Sequence, residues 1–234
     1  QTHTSDNKKL FLATMKTALA LSSMATALFS GTSSALATTT TPNLELKYFG
    51  ARGAAEPARI LLALADAKYT DTRFEIEPGT MKAPDFLVAK ESGELVMNLD
   101  RAPVLLVDGT SLGQSKAIER YLAKQLGFMG QSDLEYAQID CIVEHCRDVK
   151  DAQRRKGFSA FHRDKTDEEK ATARREWFDT DLPAWLEKIE KAVQLTSGKD
   201  GYAFGMENSY VDVAIFSLLK DCGDTDMEDT LKAA

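Results

Sequence analysis

Cysteine is scarce in this chain. Only Cys141, Cys146 and Cys222 occur among 234 residues, too few and too odd in number for a disulfide-stapled scaffold. No C-x-x-C pair occurs anywhere, which excludes dithiol exchange. Cys141 and Cys146 lie about 140° apart around a helix, so they share no face. Histidine is equally rare: His3, His145 and His162 have no zinc-ligand spacing, and no metal site is expected. A basic surplus is also missing. The formal net charge is −7, which argues against a nucleic-acid binder, because such a protein needs a cationic face to neutralise phosphates. The basic run Arg154, Arg155, Lys156 is answered by Asp167, Glu168 and Glu169 and reads as a solvated helix face of mixed sign. Finally, no apolar run reaches the roughly 20 residues that a membrane span requires.

What is present has the balance of an ordinary globular protein, 43% hydrophobic and 28% charged. Its length suits one large domain or two small ones. The chain begins at Gln1, with Met15 as a plausible start. After Met15 come Lys16, a short apolar run over residues 18–29 and the small-residue pattern Ala35, Leu36, Ala37. That order predicts a signal peptide over residues 15–37, with the duller readings a tail or an organelle-targeting leader. Residues 1–43 are therefore assigned to leader and linker. A working leader implies secretion or an endomembrane or organelle lumen, and an idle one implies the cytoplasm.

From Leu44 the pattern is short strands alternating with helices. Residues 44–48 alternate apolar and polar, a strand signature. A helix is predicted over 56–67, with Ile60, Leu61 and Leu64 as its stripe and Pro57 in its first turn. A second strand follows over 69–76 and a weaker helix over 81–90. Residues 103–107 form a strongly apolar strand, and Asp108-Gly109 turns it into a hairpin with Ser111 and Leu112. A helix over 114–125 places Ala117, Ile118, Tyr121 and Leu122 on one face. Beyond residues 127–132 the pattern is all helix. One helix runs from Ser132 to about Gln153, carrying Ile139, Ile142, Val143, Cys146 and Val149. Another spans 166–193, with Trp177, Trp185 and Ile189 inward and a kink at Pro183. Ser209-x-x-Asp212 has the form of a capping box. An α/β half over 44–127 followed by a helical half over 132–234 is the expected architecture.

Three motifs then stand in order: Tyr48-Phe49-Gly50-Ala51-Arg52-Gly53 after the first strand, Arg101-Ala102-Pro103-Val104-Leu105 before Asp108-Gly109, and Gln114-Ser115-x-Ala117-Ile118-x-Arg120-Tyr121-Leu122. Each is weak alone; together and in this order they resemble the cytosolic glutathione transferases, nearest the sigma-like and glutathione-dependent prostaglandin D synthase type. The resemblance implies a thioredoxin-like α/β domain followed by an all-α domain, with glutathione as co-substrate, a small hydrophobic electrophile as second substrate, and no metal.

The resemblance also implies roles. Tyr48 donates its phenolic O–H to the glutathione sulfur, stabilising a thiolate whose unperturbed pKa is about 8.5; Arg52 reinforces this electrostatically. Gln114 and Ser115 bind the γ-glutamyl carboxylate at a helix N-terminus. Pro103 is cis, turning the Ala102 backbone toward the ligand as an antiparallel edge. Phe49 and Arg101 are implied as further glutathione-binding residues of the same site. Asp148, on the first long helix, reaches the glutathione of a partner subunit, which implies a homodimer. Each residue also has a plain reading: Tyr48 as core, Arg52 as surface, Gln114-Ser115 as a helix cap, Pro103 as a strand-start proline, Asp148 as a solvated side chain. Two rival functions keep the fold: a glutathione-dependent isomerase of the prostaglandin D synthase kind, and a non-catalytic module like the lens crystallins. Two departures from the family are expected: a longer, more charged segment over 150–171, and a helical half shortened at Ala234.

Overall fold

A computed structural model describes residues 41–159, 162–197, 201–205 and 207–219. The leader over 15–37, Cys222 and the C-terminal residues lie outside these. Contacts divide the chain into two compact units, one ending at Leu126 and the other beginning at Gly127.

The first unit is built on a four-stranded mixed sheet. Strand β1 (Leu44–Phe49) buries Leu44 and Leu46 on one face, as its alternation requires. It pairs in parallel with β2 (Thr70–Phe74) and antiparallel with β3 (Val104–Val107), which forms a hairpin with β4 (Thr110–Gly113), giving the order β2-β1-β3-β4. Helix α1 (Glu56–Leu64) supplies the crossover between the two parallel strands. Its buried face is Ala58, Leu61 and Leu62 together with Arg59, whereas Leu64, expected inward, is exposed. The helix also stops before the predicted Ala67, because the chain turns through Asp66 at φ +48°. Helix α2 (Pro84–Glu91) begins three residues later than predicted: Met81 has a positive φ, and Ala83 precedes a proline that disfavours helix at its own position. Helix α3 (Ser115–Gln125) packs on α1 and buries Ile118, Leu122 and Ala123. A separate cluster under β2 and β3 joins Phe74, Ala89, Leu95 and Val104 to the half-buried Phe49 and Phe86.

The second unit is helical. Helix α4 (Asp133–Lys156) opens on a reciprocal capping box between Ser132 and Glu135 and ends at Gly157, whose φ is +72°. Its buried stripe is the five residues expected, Ile139 to Val149. The next helix runs on from a second capping box, Thr166 with Glu169, as α5 (Asp167–Glu176), a π-helical turn (Trp177–Asp181) and α6 (Leu182–Gln194). Pro183 has no N–H to give its preceding turn. The wider turn just before it, in which Leu182 N–H donates to the Trp177 carbonyl, absorbs the break that a kink was expected to make. Trp177 and Ile189 are buried, but Trp185 is half-buried and lies under Lys188, so Leu186 and not Trp185 continues the inward face.

Helix α7 (Tyr210–Leu219) packs against α4. Its start departs from the expected box. The Ser209 hydroxyl donates to the Asp212 carboxylate, which also accepts the backbone N–H of Ser209 and of Ala203. Asp212 thus ties the preceding loop to the helix. Burial pushes its carboxyl above the usual aspartate value even though these three hydrogen bonds favour the charged form.

Candidate functional site

Tyr48 lies at the end of β1, and the chain folds back over it immediately. Gly53 sits at φ +44°, and a Cβ there would lie 2.6 Å from the Tyr48 hydroxyl. Only glycine lets the loop pass this close. The Ala54 N–H donates to the Tyr48 oxygen at 3.1 Å. That contact occupies a lone pair and leaves the phenolic hydrogen to be given to another group.

Arg59 holds this loop. Its side chain is buried, which requires pairing. It ion-pairs with Asp71 on β2 at 3.2 Å, donates to the Ala51 carbonyl at 2.8 Å, and stands 5.9 Å from the centre of the Tyr48 ring. Arg52, by contrast, is 60% exposed and pairs with Glu56 at 3.3 Å. Phe49 packs its ring among Phe74 and Phe86, at 6.0 and 5.0 Å between centroids.

The β1–β3 ladder ends at Lys47 opposite Val104. Ala102 and Pro103 therefore lie beyond the last registered pair, and the peptide between them is cis. Arg101, exposed, folds its Nε onto the Asn98 carbonyl at 3.3 Å. After β4, Gln114 takes φ +66° as the residue preceding α3, and Ser115 is the helix's first residue. Gln114 is exposed and Ser115 half-buried, and the Gln114 side chain makes no capping hydrogen bond. A helix start of this kind, with its N–H groups and the positive end of the dipole, suits an anion. Tyr48, Ala102–Pro103 and Gln114–Ser115 all belong to the same unit.

Family models match in two parts: the glutathione S-transferase N-terminal domain over residues 44–124 and the glutathione S-transferase C-terminal domain over 152–234. A probable glutathione S-transferase of Caenorhabditis elegans, gst-36, is 30% identical across 80% of this chain and 85% of its own. The chain belongs to the glutathione S-transferase family. The hematopoietic prostaglandin D synthase of Gallus gallus is 40% identical over 103 residues, 44% of this chain and 46% of that protein. Relatives matched in this higher-identity stretch are spanned for a little under half their length. Among solved structures, a sigma class transferase of Fasciola hepatica superposes with a TM-score of 0.61 at 25% identity, over 82% of this chain and 90% of that one.

Asp148 stands on α4 in the helical unit, exposed, with His145 at 4.0 Å. Among the described residues no group of side chains has the make-up of a metal site, and no helix is long and apolar enough to cross a membrane. Sequence reasoning missed two residues that organise the site. Arg59 reads as one more charged helix position, and its burial is decided by Asp71, twelve residues away. Asn98 sits in a short 3-10 turn (Val96–Asn98) with no motif around it. On the inner strand β1, burial works against the charge of Lys47, but its hydrogen bond to Glu94 and the nearby charge of Glu45 hold the ammonium above the usual lysine value.

Proposed function

We propose that this glutathione S-transferase binds glutathione along the Tyr48, Ala102–Pro103 and Gln114–Ser115 edges, and that Tyr48 activates its thiol. In this reading the γ-glutamyl carboxylate lies at the uncapped start of α3, and the central cysteine pairs with the Ala102 backbone. The sulfur then faces Tyr48, with Phe49, Arg52 and Arg101 framing the loops. The observation that carries the reading is the Tyr48 oxygen, which already accepts the Ala54 N–H and so keeps its own hydrogen for a thiolate. In attack on an aryl chloride a C–S bond forms, the C–Cl bond breaks, chloride leaves, and the thiol proton goes to solvent. A donor aimed at the sulfur stabilises the thiolate before attack; removal of one such donor typically costs about 10²-fold or more in rate.

The test is conjugation of glutathione to a chloronitrobenzene by wild type and by Tyr48→Phe, beside retention on immobilised glutathione. Tyr48→Phe is expected to bind but to lose about 10²-fold in kcat/KM. Its thiol ionisation in the complex should return toward about 8.5. Equal rates for the two proteins exclude Tyr48, and retention without turnover by the wild type excludes the enzyme reading. We further propose a homodimer in which Asp148 of a second copy completes each site. A strictly monomeric, fully active species in sedimentation refutes it. The segment over 15–37 is proposed as a cleaved leader, which N-terminal sequencing of protein secreted from a host cell checks.

A further inference from the structure

We infer that Asn98 is a positioning residue for glutathione, one side chain that locks the Ala102–Pro103 edge and the Gln114 helix start into a single anchor. This inference rests on the site reading above. Asn98 is 4% exposed. Its carboxamide works in two directions: Nδ2 donates to the Pro103 carbonyl at 2.9 Å, and Oδ1 accepts the Gln114 N–H at 3.0 Å. The partners fix this orientation, because a carbonyl can only accept and a backbone N–H can only donate. The Asn98 main-chain carbonyl accepts the Arg101 N–H at 3.2 Å, so the same residue also closes the turn leading to Ala102.

Gly113 confirms how tightly the two segments meet. A Cβ on it would come within 2.7 Å of both Asn98 Cβ and the Met97 carbonyl oxygen. Gln114 meanwhile holds φ +66°, a region that a glutamine enters only when its surroundings compel it. The Asn98 acceptor is what the Gln114 N–H meets in that conformation. The two ends of the glutathione edge are therefore not independent loops. They are separated by ten residues of hairpin, Val104 to Gly113, yet joined directly through one amide.

Asn98 touches neither Tyr48 nor, in this reading, the ligand. Its loss lets the two anchors move separately, and a misplacement of about 1 Å is enough to matter to a multi-point ligand. The effect should therefore fall on glutathione binding and spare the sulfur chemistry. Asn98→Asp keeps the size and the acceptor for Gln114 but loses the donor to Pro103; Asn98→Leu loses both.

Calorimetric titration of wild type with glutathione comes first, followed by steady-state kinetics of each variant against glutathione and a chloronitrobenzene. Asn98→Asp is expected to raise KM and Kd for glutathione at least ten-fold, about 1.4 kcal/mol, and Asn98→Leu further. KM for the electrophile should stay within two-fold, kcat at saturating glutathione within three-fold, and the pH profile of kcat unmoved. A glutathione Kd within two-fold of wild type in Asn98→Asp overturns the inference while leaving the site reading intact. So does a fall in kcat with both KM values unchanged. Should both variants fail to fold, hydrogen exchange on the wild type decides. Glutathione should slow exchange at Asn98, Leu99 and Asp100 together with Gln114, and exchange at the Asn98 turn that ignores the ligand overturns the inference. A wild type that does not bind glutathione sinks the site reading and this inference together.

Discussion

Replacing Gly53 with alanine should silence Tyr48 without touching it. The added Cβ would stand 2.6 Å from the phenolic oxygen, with ring carbons at 3.1 and 3.3 Å. Ordinary contact begins at 3.4 Å, so the hydroxyl or the loop must move by about 0.8 Å. A displacement near 1 Å at a catalytic group costs on the order of 10²-fold, about 2.7 kcal/mol of barrier. Stability should suffer less. Alanine at φ +44° costs about 1–2 kcal/mol, partly offset by the smaller backbone freedom it has when unfolded. A folded but nearly inactive protein is the expected product.

The informative measurement is a cycle with Tyr48→Phe. Once the hydroxyl is gone, the nearest obstacle to the new methyl is gone too, and there is no aimed donor left to displace. The double variant should therefore match Tyr48→Phe in kcat/KM within about two-fold. It should also recover part of the stability that Gly53→Ala loses, read from urea midpoints. Losses that multiply to about 10⁴-fold would show that Gly53 acts by another route. A Gly53→Ala enzyme within three-fold of wild type would refute the contact as a catalytic constraint.

Arg59→Met should destabilise the protein by about 1–3 kcal/mol in chemical denaturation, because it removes the buried guanidinium's donors to the Ala51 carbonyl and to the half-buried Asp71; Arg73, still on Asp71 at 2.7 Å, limits the loss. Leu99→Gly should raise the thermal midpoint by about 1–3 °C: Leu99 holds φ +52° while 75% exposed, so glycine relieves strain and forfeits little burial. Asp212 titrates higher folded than unfolded, so its contribution to stability is whole below its unfolded value near 3.8 and is lost as pH rises through the folded value. Relative to Asp212→Asn, wild type should be more stable at pH 3.5 than at pH 7 in urea midpoints; the opposite trend would contradict the assignment.

Local chemistry made much of this legible. The helix starts near Ser132 and Thr166, the α4 stripe and the Asp108-Gly109 hairpin all depend on residues a few positions apart, which a linear reading sees. Tyr48, Pro103 and Gln114-Ser115 were recognisable because their order along the chain repeats a family pattern. Errors arose where a boundary depends on one dihedral. Asp66 and Met81 turn through positive φ without being glycine, so the first helix ends early and the second begins late.

By itself, then, the sequence determined the element order, the α/β and helical halves, and the ordered motifs at Tyr48, Pro103 and Gln114-Ser115 that repeat the family's pattern. Periodicity and short motifs encode these, and they act within a few residues. Only the tertiary structure decided which side chains hold those segments in place. Arg59 is made a loop clamp by Asp71 on another strand, and Asn98 a bridge by two loops that meet only when the hairpin folds. Buried polar groups must find partners wherever the fold brings them, and that pairing is set by three-dimensional proximity, which no spacing along the chain records.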